Sequence, residues 1–257
     1  MKIIAGPCQH ETLKQSHAIA KECKRVCDKH GIEYYFKASF DKANRTNMSG
    51  VRGVGLEPTM EDFIILKDEL DIKTCTDVHN QNEVLKIAAY YESAVDVIQI
   101  PAFLCRQTDL IRAAVKTGKT VNIKKGQFLA PWDVKGILSK TEDASEVWIT
   151  ERGTSFGYNN LVSDMRSIPI MKKTGWPVIF DATHSVQEPG GLGASSGGKR
   201  QYVPYLAKAS VAVGVSGIFI ETHQDPDNAP SDGPNMLNIN DLKKLLQKLK
   251  QIDNIIK

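Results

Sequence analysis

The sequence predicts an α/β protein folded as a single (β/α)8 barrel over residues 1–257. Three observations carry that prediction. Eight short apolar, β-branched runs recur at intervals of roughly 25–40 residues, and the segments between them carry apolar residues at helical spacing. Near-continuous apolar strands alternating with amphipathic helices imply a parallel sheet covered by helices. The length of 257 residues then favours closure over an open doubly wound sheet, because one such barrel needs about 250 residues.

The elements follow in order. "KIIAGP" is the first strand, stopped by Gly6-Pro7, and "ETLKQSHAIAKECKRVCDKHG" is the first helix. "EYYFKAS" runs into a basic loop and then the helical "LEPTMEDFIILKDEL". "KTCTDV" and "VDVIQIPA" are strands three and four, the latter followed by "RQTDLIRAAVKTG". "TVNIKK", "EVWITERG" and "PVIFDAT" are strands five to seven, and a Gly/Ser-rich stretch leads to "KRQYVPYLAKASVAVG". "GIFIET" is the eighth strand, and "NDLKKLLQKLKQIDNIIK" is the last helix. No Pro- or Ser-rich linker divides the chain, so one catalytic domain is expected.

Composition narrows the function classes. Apolar residues at 41% and charged residues at 25% match an ordinary globular protein with a sizeable core. A formal charge of +3 is too mild for a nucleic-acid partner, which usually marks its protein with a basic stripe. Five cysteines, Cys8, Cys23, Cys27, Cys75 and Cys105, lack the spacing of a disulfide scaffold and favour a reducing, cytoplasmic setting. The apolar start is too short for a signal-peptide core, and no run approaches the ~18 apolar residues of a membrane span.

Barrel sites lie at the carboxyl ends of the strands, and here those ends are polar. In order they offer Cys8; Lys37 and Ser39; Asp77 and His79; Gln99; Asn122, Lys124 and Lys125; Glu151 and Arg152; Asp181 and His184; Glu221 and His223. Closure makes strands one, seven and eight neighbours, which brings Cys8, His184 and Glu221 together, with Asp232 joining from the following loop. Thiolate, imidazole and carboxylate suit a borderline divalent ion such as Zn, Fe or Mn. Taken singly, each would read as a packed thiol, a satisfied histidine or a surface acid; their convergence favours a metal.

A second cluster is cationic. "KASFDKANRTNMSGVRG" gathers Lys37, Lys42, Arg45 and Arg52 around Asn44, Thr46 and Ser49, and Lys124, Lys125 and Arg152 end other strands on the same rim. So many cations facing one cavity would repel one another without a polyanionic ligand, so a phosphorylated substrate is expected. The stretch "EPGGLGASSGGKRQ" lacks the ending of a P-loop and reads instead as a flexible lid. "QIPAFLCRQTD" puts Phe103 and Arg106 just past the barrel mouth, able to serve this site or a neighbour's.

Together, "AGPC", "KASFDKANR", "TDVH", "DVIQIPAFLCRQTDL", "NIKKGQFLAPWD", "ERGTSFGYNNLVSDMR", "VIFDATHSVQ" and "GIFIETHQDPDNAPSDGP" resemble the 3-deoxy-D-manno-octulosonate-8-phosphate synthases. The likeness touches every strand end. It implies a (β/α)8 barrel, assembled as a homotetramer, that condenses phosphoenolpyruvate with D-arabinose 5-phosphate in lipopolysaccharide biosynthesis. It implies Lys37, Lys42, Gln99, Lys124 and Arg152 around phosphoenolpyruvate, Asn44, Arg45 and Thr46 at the sugar phosphate, and Asp77 and Gln187 near its hydroxyls. Thr46 replaces the Ser more usual in the family, with the hydroxyl kept. Phe103 and Arg106 would reach the site of an adjacent subunit, and Lys42, Asn44, His184 and Cys8 would stand at the chemistry. Cys8, with His184, Glu221 and Asp232 as fellow ligands, is similar to the branch that requires one divalent metal. The related 3-deoxy-D-arabino-heptulosonate-7-phosphate synthases share the barrel and the "AGPC" start but carry a "KPRTS"-like segment where this chain has "KASFDKANR". The rival outside enzymology is a non-catalytic barrel that binds a metal or a sugar phosphate, and the full set of polar strand ends argues against it.

Overall fold

A computed structural model describes residues 1–44, 47–48, 50–191 and 196–257. Eight strands, β1 (Lys2–Gly6), β2 (Glu33–Lys37), β3 (Lys73–Asp77), β4 (Val97–Ile100), β5 (Thr120–Lys124), β6 (Val147–Glu151), β7 (Val178–Asp181) and β8 (Gly217–His223), pair in parallel in chain order. The ring closes where β8 meets β1, with Lys2 opposite Gly217 and Gly6 opposite Glu221. Each strand lies where the sequence pattern put it.

The helices are α1 (Leu13–Lys29), α2 (Leu56–Leu70), α3 (Gln81–Tyr90), α4 (Thr108–Lys116), α5 (Val134–Leu138), α6 (Ser167–Lys172), α7 (Val203–Val213) and α8 (Ile239–Ile256). Periodicity makes α1, α2, α4, α7 and α8 plain, whereas α5 and α6, at 5 and 6 residues, are too short to show a repeat. Helix α3 starts at an Asn80 N-cap that accepts from the Glu83 amide (3.1 Å), and the Glu83 carboxylate reaches back to accept from the His79 amide (2.6 Å). Among the described residues, no helix is long and apolar enough to cross a membrane.

Strand period places the site. Inside the barrel, Ile4, Tyr35, Cys75, Val97, Trp148, Ile179 and Phe219 form one buried cluster, with the Tyr35 and Trp148 rings edge to face at 4.9 Å. Two residues further along a strand the side chain lies on the same face again. That step takes Tyr35 to Lys37, Cys75 to Asp77, Val97 to Gln99, Ile179 to Asp181 and Phe219 to Glu221. An apolar floor therefore carries a polar layer directly above it. The other strand face, including Ile3, Phe36, Val121, Phe180 and Ile218, joins the larger core against the helices.

Candidate active site

The polar layer opens into a cavity of about 500 Å³ at the carboxyl ends of the strands. Lys37, Lys42, Asn44, Asp77, Gln99, Phe103, Lys124, Arg152, His184, Gln187, Glu221 and Asp232 line it together. Arg45 and Thr46 lie outside the described residues, as do residues 192–195 of the expected lid. Flanking that stretch, Gln187–Glu188 pairs antiparallel with Gly197–Gly198.

On one side, Ser39 gathers three charged groups. Its hydroxyl accepts from Lys37 Nζ (2.9 Å) and Lys42 Nζ (2.8 Å), and donates to Asp77 Oδ1 (2.5 Å). Lys37 is only 2% exposed. Burial opposes its charge, yet nearby Asp77 and Glu221 leave the ammonium pKa raised. The Asp77 carboxyl, disfavoured as an anion by burial, is nevertheless held well below the usual range by Lys37, His79 and Lys42.

Across the cavity, Lys124 Nζ pairs with Asp181 Oδ2 (2.5 Å) and stands 3.2 Å from the centre of the Phe219 ring. Burial outweighs that pairing and lowers the Lys124 pKa. Arg152 donates through Nη2 to Gln187 Oε1 (2.9 Å), and Gln187 Nε2 donates to Asp232 Oδ1 (3.2 Å). Arg152 Nη1, in contrast, is buried without a hydrogen-bond partner among the described residues. An orphaned guanidinium donor costs free energy unless a ligand oxygen meets it, and a bidentate phosphate or carboxylate suits its geometry.

The third corner joins β1, β7 and β8. The ligand atoms of Cys8, Glu221 and Asp232 all lie within 4.8 Å of one another. Cys8 Sγ is 3.1 Å from Asp232 Oδ2 and 3.2 Å from Ser231 Oγ. His184 Nε2 lies 3.6 Å from Asp232 Oδ2 and 3.9 Å from Glu221 Oε2. Ligand atoms about one tetrahedral ion, at bonds of ~2.0–2.3 Å, stand about 3.3–3.8 Å apart. Among the described residues neither buried Glu221 oxygen has a hydrogen-bond partner; Lys37 Nζ, 3.6 Å from Oε1, faces one of them, and Oε2 is left turned toward His184 and the Cys8 corner. Burial, reinforced by Glu221, pushes the Cys8 thiol well up, and a bound cation is what reverses such a shift. The residues present fit a divalent ion. Asp232 reaches the group from a left-handed turn (φ 51°), a conformation Asp tolerates better than most side chains.

A model of the DAHP synthetase I family matches residues 1–257. The chain belongs to the DAHP synthetase I family. Within reach of this family member are proteins named 2-dehydro-3-deoxyphosphooctonate aldolase. The Brucella anthropi protein is 58% identical over 257 residues, covering 99% of this chain and 91% of its own. Its Agrobacterium fabrum counterpart is 57% identical, covering 99% and 90%. The Rhizobium meliloti protein is 54% identical, covering 100% and 91%.

The DAHP synthetase I chain departs from its sequence reading at three points. Lys125 does not face the cavity: it is fully buried beside Glu151 (3.5 Å) and donates to the carbonyls of Gly126 (3.4 Å) and Leu129 (3.1 Å). Successive strand residues point to opposite faces, so Lys124 and Lys125 could not both line the site. Arg52 is likewise absent from the cavity and pairs with Asp41 at the surface (2.6 Å). Two of the remaining cations already face carboxylates, Lys37 those of Asp77 (3.4 Å) and Glu221 (3.6 Å) and Lys124 that of Asp181. Repulsion among cations is therefore a weaker argument for an anion than the sequence alone suggests, and the stronger one is Arg152 Nη1, which has no hydrogen-bond partner among the described residues. Phe103 lines the cavity of its own chain at 59% exposure. Arg106 is exposed in a separate depression with Leu129, Asp133 and Lys140. Ser39 and Asp181 received no role from sequence, although both lie on the inward face just beyond Lys37 and Ile179.

Proposed function

We propose that this chain condenses phosphoenolpyruvate with D-arabinose 5-phosphate and water to give 3-deoxy-D-manno-octulosonate 8-phosphate and inorganic phosphate. The observation that carries the reading is the buried, unpartnered Arg152 Nη1 in one cavity with Lys37, Lys42 and Lys124. The full-length relatives named for the octonate product support the same choice. Lys37, Lys42, Gln99, Lys124 and Arg152 hold phosphoenolpyruvate in this reading. Asn44 takes the sugar phosphate with Arg45 and Thr46, while Asp77 and Gln187 meet its hydroxyls. C3 of phosphoenolpyruvate attacks the sugar aldehyde, water adds at C2, and phosphate leaves by C–O cleavage. Lys42 and Arg152 stabilise the charge that develops on the way.

Cys8, His184, Glu221 and Asp232 would hold one Zn, Fe or Mn ion. When bound, such an ion positions the aldehyde or the water and lowers the water's pKa. The convergence of Cys8, Glu221 and Asp232 ligand atoms within 4.8 Å, with His184 Nε2 beside two of them, supports this ligand set.

The reading extends to a cytoplasmic enzyme of lipopolysaccharide biosynthesis assembled as a homotetramer, with Phe103 and Arg106 contributing to a neighbouring site. The exposure of Phe103 at the cavity rim and of Arg106 beyond it supports a role across an interface, and five buried cysteines without disulfides support a reducing compartment. The second reading follows the family's own description and takes erythrose 4-phosphate as co-substrate. Phosphate release with each sugar phosphate in turn separates them: activity confined to the tetrose overturns the first.

A further inference from the structure

One carboxylate joins the two halves of the cavity. Asp181 is fully buried, and its Oδ2 accepts both from Lys124 Nζ (2.5 Å) and from His184 Nδ1 (2.8 Å), while Oδ1 accepts from the His184 amide (2.8 Å). Three donors thus converge on two oxygens. With Nδ1 engaged by Asp181, Nε2 is the His184 nitrogen that faces Asp232 and Glu221, and so the one that would give its lone pair to a metal ion. A hydrogen bond of this kind fixes a ligating imidazole's tautomer and ring orientation. The same oxygen fixes the ammonium that stands over the Phe219 ring.

We propose that Asp181 is a positioning residue that orients His184 toward a metal ion and Lys124 toward the phosphorylated substrate, so that the metal and anion halves of the site are energetically coupled through one carboxylate. The inference rests on the proposed function above, which supplies the metal.

The geometry makes Asp181→Asn informative. An amide offers one acceptor and one donor, so either orientation turns an N–H toward another N–H. If Oδ1 faces His184 Nδ1 and Lys124, the amide NH2 confronts the His184 backbone N–H; in the reverse orientation it confronts the imidazole and the ammonium. Asp181→Glu keeps the charge but shifts the carboxylate by one methylene, so it separates position from charge.

The test is zinc affinity of the metal-stripped full chain, read by competition with a chelating dye and independent of turnover. Both Asp181→Asn and Asp181→Glu are expected to bind zinc roughly 10–100-fold more weakly than the unaltered chain, the usual cost of losing a ligand's outer partner. Lys124→Met should shift zinc affinity, and in the Asp181→Asn background that shift should disappear, because the two residues act through one oxygen. Circular dichroism of each stripped variant identifies any that fails to fold, and Asp181→Glu or Lys124→Met then carries the comparison. Unchanged zinc affinity in a folded Asp181 variant overturns the proposal, as does an additive effect of Lys124→Met. An unaltered chain that binds no zinc overturns instead the metal assignment on which the inference rests.

Discussion

Lys37 Nζ lies 3.6 Å from Glu221 Oε1, although β1 runs between their strands. Between those strands β1 ends in Gly6, paired with Glu221 of β8. A Cβ built on Gly6 would clash with the carbonyl oxygen of Lys37. The glycine thereby lets the β2 backbone lie close against β1 at the residue from which Lys37 reaches into the cavity.

Gly6→Ala should consequently act on both stability and activity. Overpacking of this kind costs about 1–3 kcal/mol, and displacing Lys37 by even a fraction of an ångström should lower kcat/KM by about tenfold or more. Urea denaturation and steady-state kinetics check the two parts. A variant with unaltered midpoint and turnover would mean that β2 yields to the methyl group without cost.

Lys125 and Glu151 form an ion pair away from the cavity. Glu151 Oε1 also accepts from the amides of Arg152 (3.0 Å) and Gly153 (2.8 Å), so the pair ties the end of β5 to the turn that carries Arg152. Lys125→Met leaves the buried Glu151 carboxylate with two backbone amides and no counter-charge, and breaking such a pair from one side costs about 3–5 kcal/mol. A loss below about 1 kcal/mol in urea denaturation would show that the pair contributes little.

That lysine also marks the limit of what the sequence discloses. The eight strands were legible because a buried parallel strand is apolar on both faces, and the strand ends were legible because polarity there departs from that pattern. Cys8, His184 and Glu221 could be grouped from strand order, since closure makes β1, β7 and β8 neighbours, and Asp232 joins them from the loop after β8. Which face a residue takes is a matter of register, so Lys124 and Lys125 looked equivalent until the pleat assigned one to the cavity and the other to the core. Ser39 and Asp181 were visible as polar strand ends but their roles were not: a hydroxyl or carboxylate that binds other side chains leaves no spacing signature. The brief helices α5 and α6 lacked the length to show a period.

His79 gives a pH dependence of defined sign. Its side chain, 8% exposed, lies 3.4 Å from both Asp77 Oδ2 and Glu83 Oε2, against the ring of Phe40 (5.8 Å). Burial lowers its pKa, but the two carboxylates outweigh burial and raise it to about 9. A folded pKa above the unfolded value near 6.5 means that the stabilisation is complete below pH ~6.5 and is lost as pH rises through about 9. The full effect is on the order of 3 kcal/mol. Relative to His79→Gln, the unaltered chain should lose its stability advantage between pH 6.5 and 9 in urea titrations; a constant difference across that range would contradict the assignment.

The central claim, a metal-assisted condensation of two phosphorylated substrates in one cavity, meets its most direct test in phosphate release from phosphoenolpyruvate. The assay supplies arabinose 5-phosphate or erythrose 4-phosphate, each with and without a chelator, followed by add-back of a divalent ion. Activity with the pentose phosphate alone, abolished by chelator and restored by the ion, is the predicted result. Activity with only the tetrose phosphate would contradict the substrate assignment, and chelator-resistant turnover would return Cys8 to the status of a packed thiol.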